Sequence, residues 1–269
     1  MRRQITGFSN LTVKAIRALR DKKHRRREGK FLAEGLRLLT DARECGTLPQ
    51  VLLLATGREP HPLLDILERE VAASGGEVLE LPAELLAKVT GKDNPQAVAG
   101  VFAELPTALA RLDRAAAPLW LVAHALRDPG NLGTMLRTAD AVGAGGLILI
   151  DDCADPFSVE AVRASMGAVF TVPLAVARWD EFLCWLRAGP EAEWGQLVAA
   201  SLRDASPYRE TAYAAPCFIL IGNESQGLPE AYENACDLRV TMPMRGRADS
   251  LNAAVAGAVL AYEALASLG

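Results

Sequence analysis

The chain has 269 residues, half of them hydrophobic and 6% aromatic, with a formal net charge of −4. That length favours two domains, and the apolar share supplies ordinary buried cores, which excludes a disordered or fibrous chain. Its five cysteines (Cys45, Cys153, Cys184, Cys217 and Cys236) form no C-x-x-C pair, so neither a disulfide framework nor a zinc site fits, and a reducing cytoplasm is expected.

The charge is unevenly placed. Residues 1–30 hold eleven Lys or Arg against two acids, which leaves 18 against 31 in residues 31–269. A basic arm on an acidic body suggests a polyanionic partner met at one end, with a solvated leader as the even alternative. The basic start is unlike a secretory signal. The longest clean apolar run, Ala253 to Tyr262, is too short to span a bilayer, so no membrane contact is expected.

Thr12 to Arg20 is a predicted helix, with Val13, Ile16 and Leu19 on one face and Lys14, Arg17 and Arg20 on the other. The almost wholly basic Asp21 to Lys30 follows as a turn or helix end. Its Lys22, Lys23, Arg25, Arg26 and Arg27 are the candidates for gripping the polyanion. Phe31 to Cys45 reads as a second helix, closed by Gly46. Val51 to Leu54, Glu77 to Leu81 and Gln96 to Phe102 read as strands, and Pro62 to Ala73 as a helix. This is a small α/β domain over residues 1–107, and a weakly patterned linker, residues 108–118, follows it.

A second α/β domain is expected over residues 119–269. Strands are predicted at Leu119 to Ala123, Gly146 to Ile150, Gln196 to Ala200, Cys217 to Ile221 and Leu238 to Thr241. Helices are predicted at Asn131 to Val142 and Ser250 to Ser267. A mainly parallel sheet with helices on both faces carries its chemistry at the C-terminal strand ends.

Three loops lie there. The first, Arg127-Asp128-Pro129-Gly130-Asn131-Leu132-Gly133, runs into a helix bearing Arg137, Thr138 and Asp140. Arg137 is expected about two turns in, nearly beneath Asn131 on one face. The second, Gly222-Asn223-Glu224-Ser225-Gln226-Gly227-Leu228-Pro229, places a carboxylate between glycines that allow close backbone approach. The third, Met242 to Asn252, ends where Asp249 or Ser250 caps the last helix and Asn252 projects from its first turn. Taken singly, each loop is also explained as a helix cap, a surface ion pair or a plain β-to-α turn.

Other nucleotide and catalytic signatures fail. Gly143-Ala144-Gly145-Gly146 follows a helix and precedes a strand, the reverse of a dinucleotide fingerprint. No P-loop or G-x-S-x-G string occurs, and His24, His61 and His124 have no metal-like spacing.

Taken together, the loops resemble the motifs of the SpoU/TrmH branch of the SPOUT methyltransferases. Asp128 to Gly133 with Arg137 to Asp140 is similar to the first motif, and Gly222-Asn223-Glu224 with Gly227-Leu228-Pro229 to the second. Met242-Pro243-Met244 with Ser250-Leu251-Asn252 is similar to the third. Ala164 to Ala168, followed by Val172-Pro173, resembles the segment after the first motif. Phe31 to Gly35 loosely resembles the family's small substrate-binding domain.

The resemblance implies a trefoil-knotted catalytic domain, a rare exception to unknotted chains. It implies a homodimer whose active site is completed across the interface, with S-adenosylmethionine as cofactor and no metal. Gly222, Ile221, Met242 and Leu251 would hold the cofactor. Arg137 would act at the target ribose, as a base or by stabilising the alkoxide. Asn131 and Glu224 would position it, and Ser250 and Asn252 would contact nucleotide or cofactor. The implied reaction is methyl transfer to a ribose 2′-hydroxyl of structured RNA, 23S-type ribosomal RNA before tRNA. The rivals are a non-catalytic RNA-binding ribosome-assembly factor and a base methyltransferase.

Overall fold

The computed structural model describes residues 2–92 and 96–269. They form two compact units. One comprises Met1–Leu105 and Asp155–Thr171, the other Pro106–Ala154 and Val172–Gly269.

The first unit contains β1 (Arg2–Gln4), α1 (Leu11–Ala18), α2 (Lys22–Glu28), β2 (Lys30–Glu34), α3 (Leu36–Glu44) and β3 (Val51–Ala55). It continues with α4 (Pro62–Ala73), β4 (Glu77–Leu81), α5 (Ala83–Thr90) and β5 (Val98–Ala103). Its five strands are ordered β1-β4-β3-β5-β2. The pairs within β1-β4-β3 are parallel, and β5 runs antiparallel to β3 and β2. Val13, Ile16 and Leu19 are buried with Leu85, Leu86 and Val89, as the apolar face of the first helix requires.

Two expectations change here. Phe31 to Cys45 is not one helix. Residues 30–34 pair with β5 in the register Phe31↔Phe102 and Leu32↔Val101, and Gly35, at φ 113°, turns the chain into α3. A short, fully buried apolar run carries no period to separate strand from helix. The basic stretch after Arg20 is a helix rather than a turn, because Asp21 accepts from the backbone N–H groups of Lys23 and His24 and starts α2.

The second unit begins with β6 (Leu119–His124), α6 (Pro129–Ala141) and β7 (Leu147–Ile150). Residues 155–171, with α7 (Val159–Ala164) and α8 (Ala168–Thr171), then pack in the first unit. There Phe157 lies 5.0 Å from Phe31, and Phe170 lies 4.9 Å from Phe102, centroid to centroid. The second unit resumes with β8 (Leu174–Ala177), α9 (Trp179–Leu186), β9 (Gln196–Ala200) and β10 (Ser206–Pro207). It ends with β11 (Cys217–Ile221), α10 (Glu230–Asn234), β12 (Leu238–Thr241) and α11 (Ala253–Leu268).

All seven strands of this unit are parallel, in the order β10-β12-β9-β11-β6-β7-β8. β11 lies inside the sheet and is buried along its whole length, which is why Cys217 to Ile221 reads as an unbroken apolar run. Because the strands are parallel, the loops after β6, β9, β11 and β12 emerge at one edge of the sheet. Among the described residues, no helix is long and apolar enough to cross a membrane.

Candidate active site

The loop after β6 is fixed by Asp128. Its carboxylate accepts from the Asn131 backbone N–H at 2.6 Å and caps α6, with Pro129 in the first turn. The helix therefore starts two residues before Asn131. The loop after β11 is folded on itself. Asn223 and Gly227 exchange both backbone hydrogen bonds, and Asn223 Oδ1 accepts from the N–H groups of Ser225 and Gln226. Gly222 is obligatory here: a Cβ on it would fall 2.5 Å from the Gly227 carbonyl carbon and 2.7 Å from Leu228 N.

Side chains tie the loops together. Asn223 Nδ2 donates to the Ala125 carbonyl at 2.8 Å. Glu224 accepts from Asn131 Nδ2 at 3.0 Å and from the backbone N–H groups of Arg127 and Asp128 at 3.3 Å each. Burial pushes the Glu224 carboxyl up, but the hydrogen bonds it accepts from Asn131 and from the N–H groups of Glu224, Arg127 and Asp128 outweigh that. The net effect holds it below its ordinary range. Asn131 Oδ1 in turn accepts from Asn252 Nδ2 at 2.7 Å. Asn252, rather than Asp249 or Ser250, caps α11, accepting from Ala254 N–H and Val255 N–H.

Beside this junction lies a cavity of about 410 Å³, within the size range of small-molecule sites, roughly 300–1,000 Å³. Ile221, Gly222, Met242 and Leu251 all line it, and Ser250 and Glu224 stand on its rim. The motif reading missed part of the wall. Leu202 and Ser201 come from the end of β9 and Glu233 from α10. Ser201 Oγ donates to Glu233 Oε1 at 2.6 Å. Glu233 is buried, its Oε2 has no hydrogen-bond partner among the described residues, and Arg203 stands 3.6 Å away. The signal was slight: a strand end and a Glu inside a short helix with no motif around them.

This wall fits S-adenosylmethionine. Leu202, Ile221, Met242 and Leu251 are apolar partners for an adenine, Gly222 lets a ligand reach backbone groups, and the Glu233 carboxylate suits a ligand with net positive charge. No histidine lines the cavity. His124, at the end of β6, instead sits 3.5 Å from Asp151 and edge-on to Tyr232.

Arg137 is placed otherwise than expected. Six positions beyond Asn131, it is rotated by roughly 120° about the helix axis, so the two do not share a face. It is exposed, and among the described residues no hydrogen bond or ion pair joins it to Asn131 or Glu224. Within this unit Glu224 secures the loops, accepting from Asn131, Arg127 and Asp128. In the first unit, Lys22, Lys23, Arg26 and Arg27 are exposed on α2. Arg25 leaves the phosphate-gripping set. Its side chain is 3% exposed, bonded to Asp155 at 2.7 Å and to the carbonyls of Leu19 and Arg20.

Residues 118–262 match the SpoU rRNA methylase family, and residues 10–100 match the MRM3-like substrate binding domain. A Bacillus subtilis (strain 168) relative, the 23S rRNA (guanosine(2553)-2′-O)-methyltransferase RlmP, is 31% identical over 97% of this chain and 98% of its own. The 23S rRNA (uridine(2479)-2′-O)-methyltransferase of Streptomyces viridochromogenes is 33% identical over 92% of this chain and 86% of its own. The crystal structure of an AdoMet-bound rRNA methyltransferase from Sinorhizobium meliloti superposes with a TM-score of 0.90 at 38% identity. It covers 98% of this chain and 97% of that one.

Proposed function

The chain belongs to the SpoU rRNA methylase family, and on that premise we propose that it methylates a ribose 2′-hydroxyl of ribosomal RNA, the 23S-type large-subunit RNA foremost. S-adenosylmethionine supplies a methyl group already activated by the sulfonium charge. The observation that carries this reading is the convergence of Ile221, Gly222, Met242 and Leu251 on one cavity beside the Asn131–Glu224–Asn252 junction.

The chemical task is to hold a weak nucleophile in line with the methyl group and to stabilise charge as its proton leaves. Gly222, Leu251 and the apolar wall fix the cofactor. Asn131, Glu224 and Asn252 keep three loops in register so that this wall is preformed, and Ser250 on the rim contacts the nucleotide. Arg137 is the catalytic cation. A guanidinium stays protonated in proteins, so Arg137 stabilises the developing alkoxide, while a phosphate or water takes the proton.

Arg137 reaches a cavity through dimerisation. α11 packs beside α6 and leaves Val255 46% and Tyr262 55% exposed along one face. A second copy covers this stripe and brings its own cavity to Arg137. On this reading, residues 119–269 supply a trefoil-knotted catalytic domain. Residues 1–107, with Lys22, Lys23, Arg26 and Arg27, grip RNA phosphates, and the protein works in the cytoplasm.

The test is methyl transfer from labelled S-adenosylmethionine to separate ribosomal RNA and tRNA pools, followed by nucleoside analysis. A 2′-O-methylated nucleoside from the ribosomal pool is expected. Transfer confined to tRNA would replace the substrate, and no transfer together with no cofactor binding would favour a non-catalytic RNA binder.

A further inference from the structure

In the first unit, some basic side chains are neutralised. Arg2 and Arg58 each pair with Glu68 and Glu80, Arg43 with Glu70, and Lys92 with Glu34. Three of the cations that remain unpaired lie together. Among the described residues, Arg17, Arg20 and Lys88 take part in no ion pair. All three line one cleft of about 620 Å³ formed by α1, the start of α2 and α5, together with Ala18, Asp21 and His24. The Asp21 carboxylate is engaged as the α2 cap. Arg20 is held against the backbone at Gly91, where any side chain would collide with its guanidinium.

Three cations gathered in one cleft repel one another. Left unpaired, they are fitted to a polyanion. A second feature narrows the class. Phe8 is 47% exposed, and Lys88 Nζ lies 4.1 Å from its ring centroid. Leu11, nearby in sequence, is 81% exposed. Phosphates do not require an exposed aromatic ring, whereas an unstacked base does use one. In a duplex the base faces are hidden in the stack, so a duplex would meet the cations alone.

We propose that the cleft between α1 and α5 binds an unpaired stretch of RNA, its phosphates on Arg17, Arg20 and Lys88 and one base stacked on Phe8. The site adds a base-reading element to the phosphate-gripping helix α2. It rests on the RNA-methylating function above.

The test is fluorescence anisotropy of the full chain with a labelled single-stranded RNA of about 12 nucleotides and a duplex of the same length, over a range of salt. Combining Arg17→Gln with Lys88→Gln should flatten the slope of log Kd against log salt by about 1.4, roughly 0.7 for each single-strand phosphate no longer neutralised. Phe8→Ala should weaken single-strand binding by roughly 5- to 100-fold while leaving the salt slope and the duplex affinity unchanged. Phe8→Trp should restore it. An unchanged slope in the double variant, or a Phe8→Ala that binds the single strand normally or costs the duplex equally, would overturn the proposal. Calorimetric binding of S-adenosylmethionine should be normal in every variant. A wild-type chain that binds RNA in this way yet transfers no methyl group would sink the proposed function and leave the cleft standing.

Discussion

Asn252 Nδ2 donates to Asn131 Oδ1 at 2.7 Å, joining residues 121 positions apart. Asn252 also caps α11 with its Oδ1, so one side chain starts a helix and fastens two loops. The roles separate by substitution. Asn252→Asp keeps the cap acceptor and loses the donor to Asn131, whereas Asn252→Ala loses both. The alanine variant should be less stable by about 1 kcal/mol in urea denaturation. The aspartate variant should be near normal in stability, and both should bind S-adenosylmethionine weakly by calorimetry. Normal binding by the aspartate variant would mean that the junction does not shape the cavity.

Gly222→Ala acts by a backbone collision, since the new methyl meets Gly227 and Leu228 main-chain atoms. A main-chain neighbour cannot rotate away, so the loop must open. The expected cost is about 1–3 kcal/mol, with at least a tenfold loss of cofactor affinity, roughly the same energy scale. A variant that binds cofactor normally would remove Gly222 from the wall.

Arg25 and Arg26 are neighbours with opposite expectations. Arg25→Gln strands the partly buried Asp155 and should cost about 3–5 kcal/mol in urea denaturation. Exposed Arg26→Gln should stay within about 0.5 kcal/mol, with its effect on RNA affinity instead. Equal stability of the two variants would contradict the buried pair.

Glu224 gives a pH signature. Its carboxyl is held below the ordinary value near 4.5, with burial opposing and the accepted hydrogen bonds prevailing. A depressed folded-state pKa contributes stability that is present above the unfolded value and lost as pH falls through the folded one. Wild type should therefore exceed Glu224→Gln in stability at neutral pH, and the gap should close in acid. A gap that is constant from neutral pH into acid would show that the carboxylate charge is not what the loop N–H groups hold.

Much of the second unit was legible in its sequence. Gln196–Ala200, Cys217–Ile221 and Leu238–Thr241 lie where their apolar runs between turn residues placed them, and the three loops share one sheet edge because the strands are parallel. Asn131, Glu224 and Asn252 met as a group, since residues that cap and bridge also carry motif signals. The partners were not legible. The resemblance implied that Asn131 and Glu224 position Arg137; within this unit the structure shows them bonded to each other. The return of residues 155–171 to the first unit depends on Phe157 and Phe170 meeting Phe31 and Phe102, long-range packing that no local pattern announces. Arg25 looked like its basic neighbours because burial of one position in a charged helix depends on Asp155, 130 residues away.

The central claim, ribose methylation with Arg137 as the catalytic cation, is tested most directly by alkaline hydrolysis of ribosomal RNA labelled from methyl-tritiated S-adenosylmethionine. Alkaline cleavage needs a free 2′-hydroxyl, so a 2′-O-methyl group leaves its label in alkali-resistant dinucleotides. Wild type should place the label there. Arg137→Ala, an exposed position, should fold and bind cofactor normally and yield none. Label released in mononucleotides would mean base methylation, and resistant label from Arg137→Ala at the wild-type rate would remove Arg137 from the chemistry.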